Sequence, residues 1–201
     1  MIELRDVVVA YESRVILDSI NLTINDGETL VILGGSGSGK STLLRLLIGL
    51  QRPTSGQIIV DGTDITTLSE DEFNTVRRKM GMVFQYSALF DSMSVGENVA
   101  FGLRQHTDLG DDEIQRIVAE RLDWVGLKGY ESYMPNELSG GMKKRVSLAR
   151  AIALDPSLIL YDEPSSGLDP ITSGTISMLI KGMQQRLGCT SIVVTHDMQS
   201  A

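Results

Sequence analysis

The octapeptide GGSGSGKS, which spans Gly34 to Ser41, limits the possible folds of this 201-residue chain more than any other segment. It matches the pattern G-x-x-x-x-G-K-[ST] and lies between the aliphatic run TLVIL at residues 29–33 and the apolar stretch LLRLLIGL at 43–50. A short aliphatic run is typical of a strand that is buried on both faces of a parallel sheet. A strand, a glycine-rich loop and a helix in this order predict a phosphate-binding loop in an α/β fold.

Further aliphatic runs predict more strands of the same sheet, because stretches with helical period separate them. The alternation of Ile20, Leu22 and Ile24, followed by Asp26-Gly27, also predicts a β hairpin at the start of the domain, with its turn at this dipeptide. The predicted sheet strands are IIV at residues 58–60, MGMVF at 80–84, LILY at 158–161 and SIVV at 191–194.

The middle of the chain is predicted to be helical. Apolar residues recur at spacings of three and four within residues 111–125, which is the pattern of an amphipathic helix. A second helix is expected over residues 140–153, with Ser139 as its N-cap. We interpret residues 86–155 as a helical insertion in a single domain whose strand-rich core comprises residues 1–85 and 156–201.

Composition excludes several classes of protein. Asp and Glu number 26 against 18 Lys and Arg, and the resulting net charge of −8 disfavours binding to a nucleic-acid backbone. The single cysteine, Cys189, cannot form an intrachain disulfide, which fits a reducing compartment. No signal peptide is predicted, because charges occur within the first five residues, and no membrane span is predicted, because no apolar run reaches about 18 residues.

Each part of the phosphate loop has a candidate role. Glycines and serines let successive backbone N–H groups point at phosphate oxygens, Lys40 reaches the β- and γ-phosphates, and the Ser41 hydroxyl can bind Mg²⁺. The alternative is a Gly/Ser-rich surface loop that matches by chance, which the flanking strand and helix argue against. The candidate phosphate-binding residues are Gly34, Gly35, Ser36, Gly37, Ser38, Gly39, Lys40, Ser41 and Thr42, the last of these at the α-phosphate.

Polar side chains follow three of the predicted strands. LILYDEP places Asp162 and Glu163 at the end of a buried strand, where Asp162 is a candidate Mg²⁺ ligand and Glu163 a candidate general base. Gln85 follows MGMVF and is a candidate for contact with Mg²⁺ or the attacking water, and His196 follows SIVV and is a candidate for contact with the γ-phosphate. The alternatives are a solvated turn for the acidic pair, an exposed glutamine and a structural histidine.

The motif LSGGM at residues 138–142 places Ser139, Gly140 and Gly141 at the start of a helix, which is a second candidate anion site. The alternative is a capped helix without a ligand. The phosphate loop, Gln85, LSGGM, YDEP, SGLD and His196 occur in the order of the ATP-binding cassette ATPases, and this resemblance covers essentially the whole chain. It implies a P-loop α/β core with an antiparallel β subdomain and a helical subdomain that carries LSGGM, and it implies ATP and Mg²⁺ as ligands.

The same resemblance implies a head-to-tail homodimer, in which Ser139, Gly140 and Gly141 of one copy close over the ATP held by the other. Tyr11 matches the aromatic residue that stacks on adenine, although an ordinary strand tyrosine is the alternative. Asp169 in SGLD matches the loop that crosses the dimer interface.

Finer features resemble the ATPases of MCE-type transporters, the Mla and organic-solvent-resistance systems, which move phospholipids between membranes. These features are Met142, where glutamine is usual, and the segment at residues 80–107. The resemblance implies integral membrane permease subunits bound at about residues 87–102, a lipid-binding MCE protein as a further partner, and a peripheral location on the cytoplasmic face of the inner membrane. Alternatives are a transporter of a polar solute and a soluble switch protein without a transport partner.

Such ATPases usually continue well beyond the histidine. This sequence ends at Ala201, five residues after His196, so it is expected to be a C-terminally truncated cassette.

Overall fold

Two four-stranded sheets, with helices packed around them, organise the part of the chain that the computed structural model describes, residues 1–12 and 14–196. The strands are β1 (Ile2–Tyr11), β2 (Arg14–Ile24), β3 (Thr29–Leu33), β4 (Ser55–Val60), β5 (Thr63–Asp64), β6 (Met80–Val83), β7 (Leu158–Asp162) and β8 (Thr190–Thr195). The helices are α1 (Lys40–Leu47), α2 (Glu70–Arg77), α3 (Val95–His106), α4 (Asp111–Trp124), α5 (Gly140–Ala151) and α6 (Pro170–Leu187), with a short 3₁₀ helix at Pro135–Glu137.

The parallel sheet has the strand order β3-β8-β7-β6. Its strands coincide with four of the predicted aliphatic runs, so the prediction of an α/β sheet is confirmed. All four strands run in the same direction, and their carboxyl ends therefore meet at one edge, which is where open α/β sheets bind ligands. Gly34 N donates to the Thr195 carbonyl over 3.3 Å, which ties the start of the phosphate loop to this edge.

The antiparallel sheet, with the order β2-β1-β4-β5, corrects two predictions. The opening hairpin is formed by β1 and β2, and Tyr11 pairs with Arg14 next to its turn. The predicted turn at Asp26-Gly27 instead leads from β2 to β3, which belongs to the other sheet. The run IIV lies in β4 and pairs antiparallel with β1, not with the parallel strands. Three aliphatic residues are too few to distinguish a strand buried on both faces from one whose burial alternates.

Helix α1 lies in a hydrophobic core shared by both sheets. Its buried Leu44 and Leu47 belong to the same cluster as Ile58 of the antiparallel sheet and Leu160 and Ile192 of the parallel sheet. A second cluster contains the buried faces of α3, α4, α5 and α6.

Helix α4 confirms the helix predicted at residues 111–125, and α5 confirms the one predicted from residue 140, although α5 ends at Ala151. Between β6 and β7 the structure forms helices and loops.

Gly56, in β4, and Gly62, in the turn between β4 and β5, allow a test of how closely the antiparallel strands approach. Both have a left-handed backbone, with φ of +90° and +78°. A Cβ atom on Gly56 would lie 2.4 Å from the Asp6 carbonyl oxygen, whereas a Cβ on Gly62 would have no atom within 4 Å. Gly62→Ala therefore isolates the conformational penalty, and Gly56→Ala adds a backbone clash.

We predict that Gly62→Ala lowers the free energy of unfolding by about 1–2 kcal/mol. Gly56→Ala should lower it by a further ~1–3 kcal/mol, because β1 and β4 must separate to accept the methyl group. Urea denaturation followed by circular dichroism measures both values. Equal losses in the two variants would contradict the close approach of Gly56 to β1.

Candidate active site

The phosphate loop joins β3 to α1 and needs glycine for steric reasons. Gly39, the N-cap of α1, has a φ of +91°, and a Cβ there would lie 2.8 Å from a Leu17 methyl carbon. Lys40 begins the helix, and its ammonium donates to the carbonyls of Gly34, over 2.6 Å, and Gly35, over 3.0 Å. The lysine side chain, 8% exposed, therefore lies along the inside of the loop.

Ser41 and Asp162 form the link between the loop and the acidic pair. Ser41 Oγ donates to Asp162 Oδ1 over 2.9 Å. A hydroxyl and a carboxylate are hard oxygen donors, the type that Mg²⁺ prefers when substrate phosphates supply the other ligands. Among the described residues no group of three or more His, Cys, Asp or Glu side chains could hold a metal by itself. A hydroxyl and one carboxylate are the kind of donors that would hold Mg²⁺ when nucleotide phosphates complete its coordination.

Glu163 is the most constrained residue of the site. Its carboxylate is largely buried and lies between a cation and an imidazole, with Oε1 3.7 Å from Lys40 Nζ and Oε2 2.8 Å from His196 Nδ1. A carboxylate only accepts hydrogen bonds, so Nδ1 carries the proton in this contact. The backbone N–H of His196 also donates to Oε2, over 3.2 Å. The charged carboxylate is thereby held in one orientation at the end of the sheet.

The backbone of Glu163 is in the left-handed region, with a φ of +48°. Its N–H donates to the Val194 carbonyl over 2.9 Å, and its own carbonyl accepts from Ser166 N over 3.1 Å. A non-glycine residue in this conformation is typical of functional sites, where the surrounding structure compensates for the strain. The sharp bend turns the Glu163 side chain away from the strand and towards the loop.

These residues line a cavity of about 700 Å³ above the carboxyl edge of the sheet. The structure brings the candidate site residues Tyr11, 35–42, Gln85, Glu163 and His196 together at this cavity. Gln85 Nε2 donates to Ser166 Oγ over 3.3 Å. Gly34 and Asp162 are connected to the cavity through residues that line it. The Gly34 carbonyl accepts from the Lys40 ammonium, and Asp162 accepts from the Ser41 hydroxyl.

Three further residues of the cavity were missed from the sequence: Arg14, Ile16 and Arg45. Arg14 pairs with Tyr11 across the opening hairpin, so it could be found only once the pairing of β1 with β2 was known. Arg45 lies one helical turn after Ser41, so helical periodicity alone could have indicated it. The two arginines add positive charge to a cavity in a chain of net charge −8.

Ser139, Gly140, Gly141 and Asp169 do not line this cavity. Ser139 caps α5 as predicted, because its Oγ accepts from Met142 N over 3.3 Å. Asp169 caps α6 by accepting from the backbone N–H groups of Ile171 and Thr172. The two helix starts lie next to each other, since a Cβ on Gly141 would be 2.7 Å from the Thr172 methyl carbon. The chain thus presents two candidate anion sites in different places.

Among residues 1–12 and 14–196, no helix combines the length and the apolar character that a bilayer crossing needs.

A phosphate loop, a strand-end acidic pair and a histidine at the carboxyl edge of a parallel sheet define a nucleotide-hydrolysing P-loop protein. The profile of the ABC transporter family matches residues 17–166. The chain belongs to this family and is one of its ATPases.

Individual relatives agree with this assignment. The intermembrane phospholipid transport system ATP-binding protein MlaF of Haemophilus influenzae is 49% identical, over 99% of this chain and 75% of its own length. The probable ribonucleotide transport ATP-binding protein mkl of Mycobacterium tuberculosis is 47% identical, over 100% of this chain and 56% of its own. The dimeric, post-hydrolysis state of the ATP-binding cassette MJ0796, bound to ADP and Pi, has a TM-score of 0.91 at 36% identity, covering 100% of this chain and 90% of that one. The fold class inferred from the sequence is confirmed.

The position of Glu163 beside Lys40 and His196 predicts the effect of removing its charge. Glu163→Gln should slow ATP hydrolysis by roughly 10²- to 10⁴-fold, the usual contribution of a general base, because an amide cannot accept the proton of the attacking water. ATP should still bind, since the loop is unchanged. Steady-state turnover and equilibrium binding of a fluorescent ATP analogue measure the two quantities.

Glu113→Gln, on the exposed surface of α4, is the matched control and should leave turnover unchanged. Near-normal turnover of Glu163→Gln would remove Glu163 from the role of base.

Proposed function

We propose that this ATPase powers the movement of phospholipids between membranes. The observation that carries the proposal is the 49% identity with MlaF over an aligned region that spans 99% of this chain. The similarity to mkl, whose name specifies ribonucleotide transport, supports transport of a polar solute as the second candidate. The two candidates share one catalytic cycle and differ in what the membrane subunits carry.

In the proposed reaction the chain holds ATP in the cavity of about 700 Å³. Tyr11, 54% exposed, offers a ring face for adenine, and the backbone of the loop together with Lys40 holds the phosphates. Glu163 accepts a proton from the water that attacks the γ-phosphorus, and His196 keeps its carboxylate in place. ADP and phosphate are then released.

Mg²⁺ is the expected metal, with Ser41, Asp162 and Gln85 as the residues that would hold it. Ser41 and Asp162 are already within hydrogen-bonding distance of each other, at 2.9 Å. When bound, the ion would neutralise charge on the phosphate oxygens.

A homodimer is proposed as the working form. Ser139 and Gly140 are exposed at the N-terminus of α5, outside the chain's own cavity. The N–H groups of a first helical turn have no carbonyl of their own helix to bond, so this end suits a phosphate supplied by a second copy. The dimeric state of MJ0796 supports this arrangement. Asp169, at the adjacent helix start, would lie at the same interface.

The membrane permease is proposed to bind at about residues 87–102. The rings of Phe90 and Phe101 lie 4.8 Å apart and both are partly exposed, and Phe101 lines a cavity of about 230 Å³. Buried Asn98 orders this surface, because its amide bonds the backbone of Phe90 in both directions, at 2.8 and 3.1 Å. An MCE protein as a further partner and a peripheral position on the cytoplasmic face of the inner membrane complete the proposal.

The substrate can be tested in vesicles that contain the chain assembled with its membrane subunits. We expect ATP-dependent transfer of a fluorescent phospholipid to acceptor vesicles and no accumulation of a radiolabelled ribonucleotide. The same assembly with Glu163→Gln is the control and should transfer lipid at the rate without ATP. Accumulation of the ribonucleotide without lipid transfer would favour the second candidate. Activity without any copurifying membrane protein would support a soluble switch.

If each ATP site is formed by residues from two copies of the chain, dimers that combine two different inactive variants should recover activity. Lys40→Ala removes the charge that faces the phosphates, and Ser139→Arg blocks the helix start offered to the second copy. Each variant alone should be inactive. An equal mixture should regain about one quarter of the normal ATPase rate, because half of the dimers are mixed and each mixed dimer keeps one intact site. Sites confined to one chain would show no recovery on mixing.

A further inference from the structure

Lys144 is a buried cation that the proposed reaction does not use. It lies on α5, five residues after Ser139, and is 5% exposed. Lysine is rarely buried unless its ammonium is paired. Here the ammonium donates to two backbone carbonyls, that of Gln85 and, over 3.4 Å, that of Glu163. Burial lowers the pKa of Lys144, and the nearby charges of Asp162 and Glu163 oppose this shift. One side chain thus connects α5 to two residues of the cavity.

The Glu163 carbonyl, to which the Lys144 ammonium donates, belongs to the backbone that orients the Glu163 carboxylate. Its residue has the left-handed φ of +48°, so the orientation of this peptide must be held by its neighbours. Ser166 N donates to the same carbonyl over 3.1 Å. Together, Lys144 and Ser166 fix the backbone from which the carboxylate extends towards Lys40 and His196. A small rotation of this peptide would displace the carboxylate.

Arg150, a second cation of α5, forms hydrogen bonds with the loop that follows β6. Arg150 donates to the carbonyls of Ser87, over 2.8 Å, and Ala88, over 2.7 Å, both of which have left-handed backbones. Lys144 and Arg150 therefore attach this loop to α5 at two places. Lys144 differs because it also reaches Glu163 on the neighbouring strand end.

We propose that Lys144 is a positioning residue for ATP hydrolysis, which ties Gln85 and Glu163 to the helix that begins with Ser139, Gly140 and Gly141. The inference rests on the roles proposed above for Gln85 and Glu163. Its physical basis is that both carbonyls lose their donor from α5 when the ammonium is removed, while the cavity wall that binds ATP is unchanged. Lys144 does not line that cavity. Turnover therefore depends on Lys144 more than ATP binding does.

The central test compares kcat and KM for ATP in the full chain assembled with its partners. Lys144→Met keeps the length of the side chain and removes its donors. We expect kcat to fall roughly 10- to 100-fold, the range usual for a residue that orients a reacting group, with the KM for ATP within about threefold of normal. Lys144→Arg keeps N–H donors and should retain kcat within about threefold.

Lys143→Met is the matched control. Lys143 is the adjacent lysine of the same helix, is half-buried, and takes part in none of the side-chain bonds found in the described residues. Its substitution should leave kcat and KM unchanged. Thermal unfolding of every variant separates lost positioning from lost structure. If Lys144→Met does not fold, Lys144→Ala replaces it, because alanine favours the helix and admits water to the two carbonyls.

A folded Lys144→Met or Lys144→Ala protein with normal kcat would overturn the inference, and so would a variant in which only KM changes. If neither of them folds, Lys144→Arg decides, and a folded arginine variant slowed more than about tenfold would also overturn it. Glu163→Gln, measured in the same series, distinguishes a failure of the proposed role of Glu163 from a failure of the positioning role of Lys144. Normal turnover of Glu163→Gln would refute the proposed role of Glu163, whereas a slow Glu163→Gln beside a normal Lys144→Met would refute the positioning role alone.

Discussion

Burial of the leucine face of α1 between the two sheets is the interaction on which the rest of the structure depends. Leu44 and Leu47 have no exposed surface and share one core with strands of both sheets. Full burial of a leucine side chain contributes about 1.5–3 kcal/mol, so this face also helps to hold the two sheets together. Lys40 and Ser41 are the first residues of the same helix. The position of the phosphate loop is therefore set by hydrophobic packing rather than by a ligand.

The charges at the sheet edge follow from this placement. A carboxylate as buried as that of Glu163 is stable only with partners, and it has Lys40 from α1 and His196 from the end of β8. The left-handed backbone of Glu163 costs on the order of 1–3 kcal/mol, which the hydrogen bonds to its N–H and carbonyl offset. Helix α1 and the ends of strands β7 and β8 thus determine the direction of one carboxylate, and a change in any of these three elements would move it.

Local patterns in the sequence predicted the parallel strands, the helices α4 and α5, and the loop and strand-end residues that meet in the cavity, because each follows from a motif, from periodicity or from the end of a strand. Tyr11 was indicated by the family resemblance alone, and Arg14, Ile16 and Arg45 were not predicted. Pairing between distant segments was not predictable in this way. The run IIV and the dipeptide Asp26-Gly27 were assigned to the wrong partners, since neither carries a signal for the strand beside it. The contacts of Lys144 were missed for a related reason. They go to backbone carbonyls, which every residue has, so the identity of Gln85 or Glu163 gives no hint of them.

The anchoring of α5 bears on how two copies would cooperate. Lys144 fixes α5 to the cavity residues Gln85 and Glu163, and Arg150 fixes it to the loop after β6, while the helix N-terminus at Ser139 is exposed. A helix held in this way can offer its first turn to a phosphate without reorganising, which lowers the cost of association. Any shift of the helix on contact with a second copy would reach Gln85 and Glu163 through the same lysine. In the proposed dimer, engagement of one nucleotide would therefore influence hydrolysis of the other through a single rigid helix.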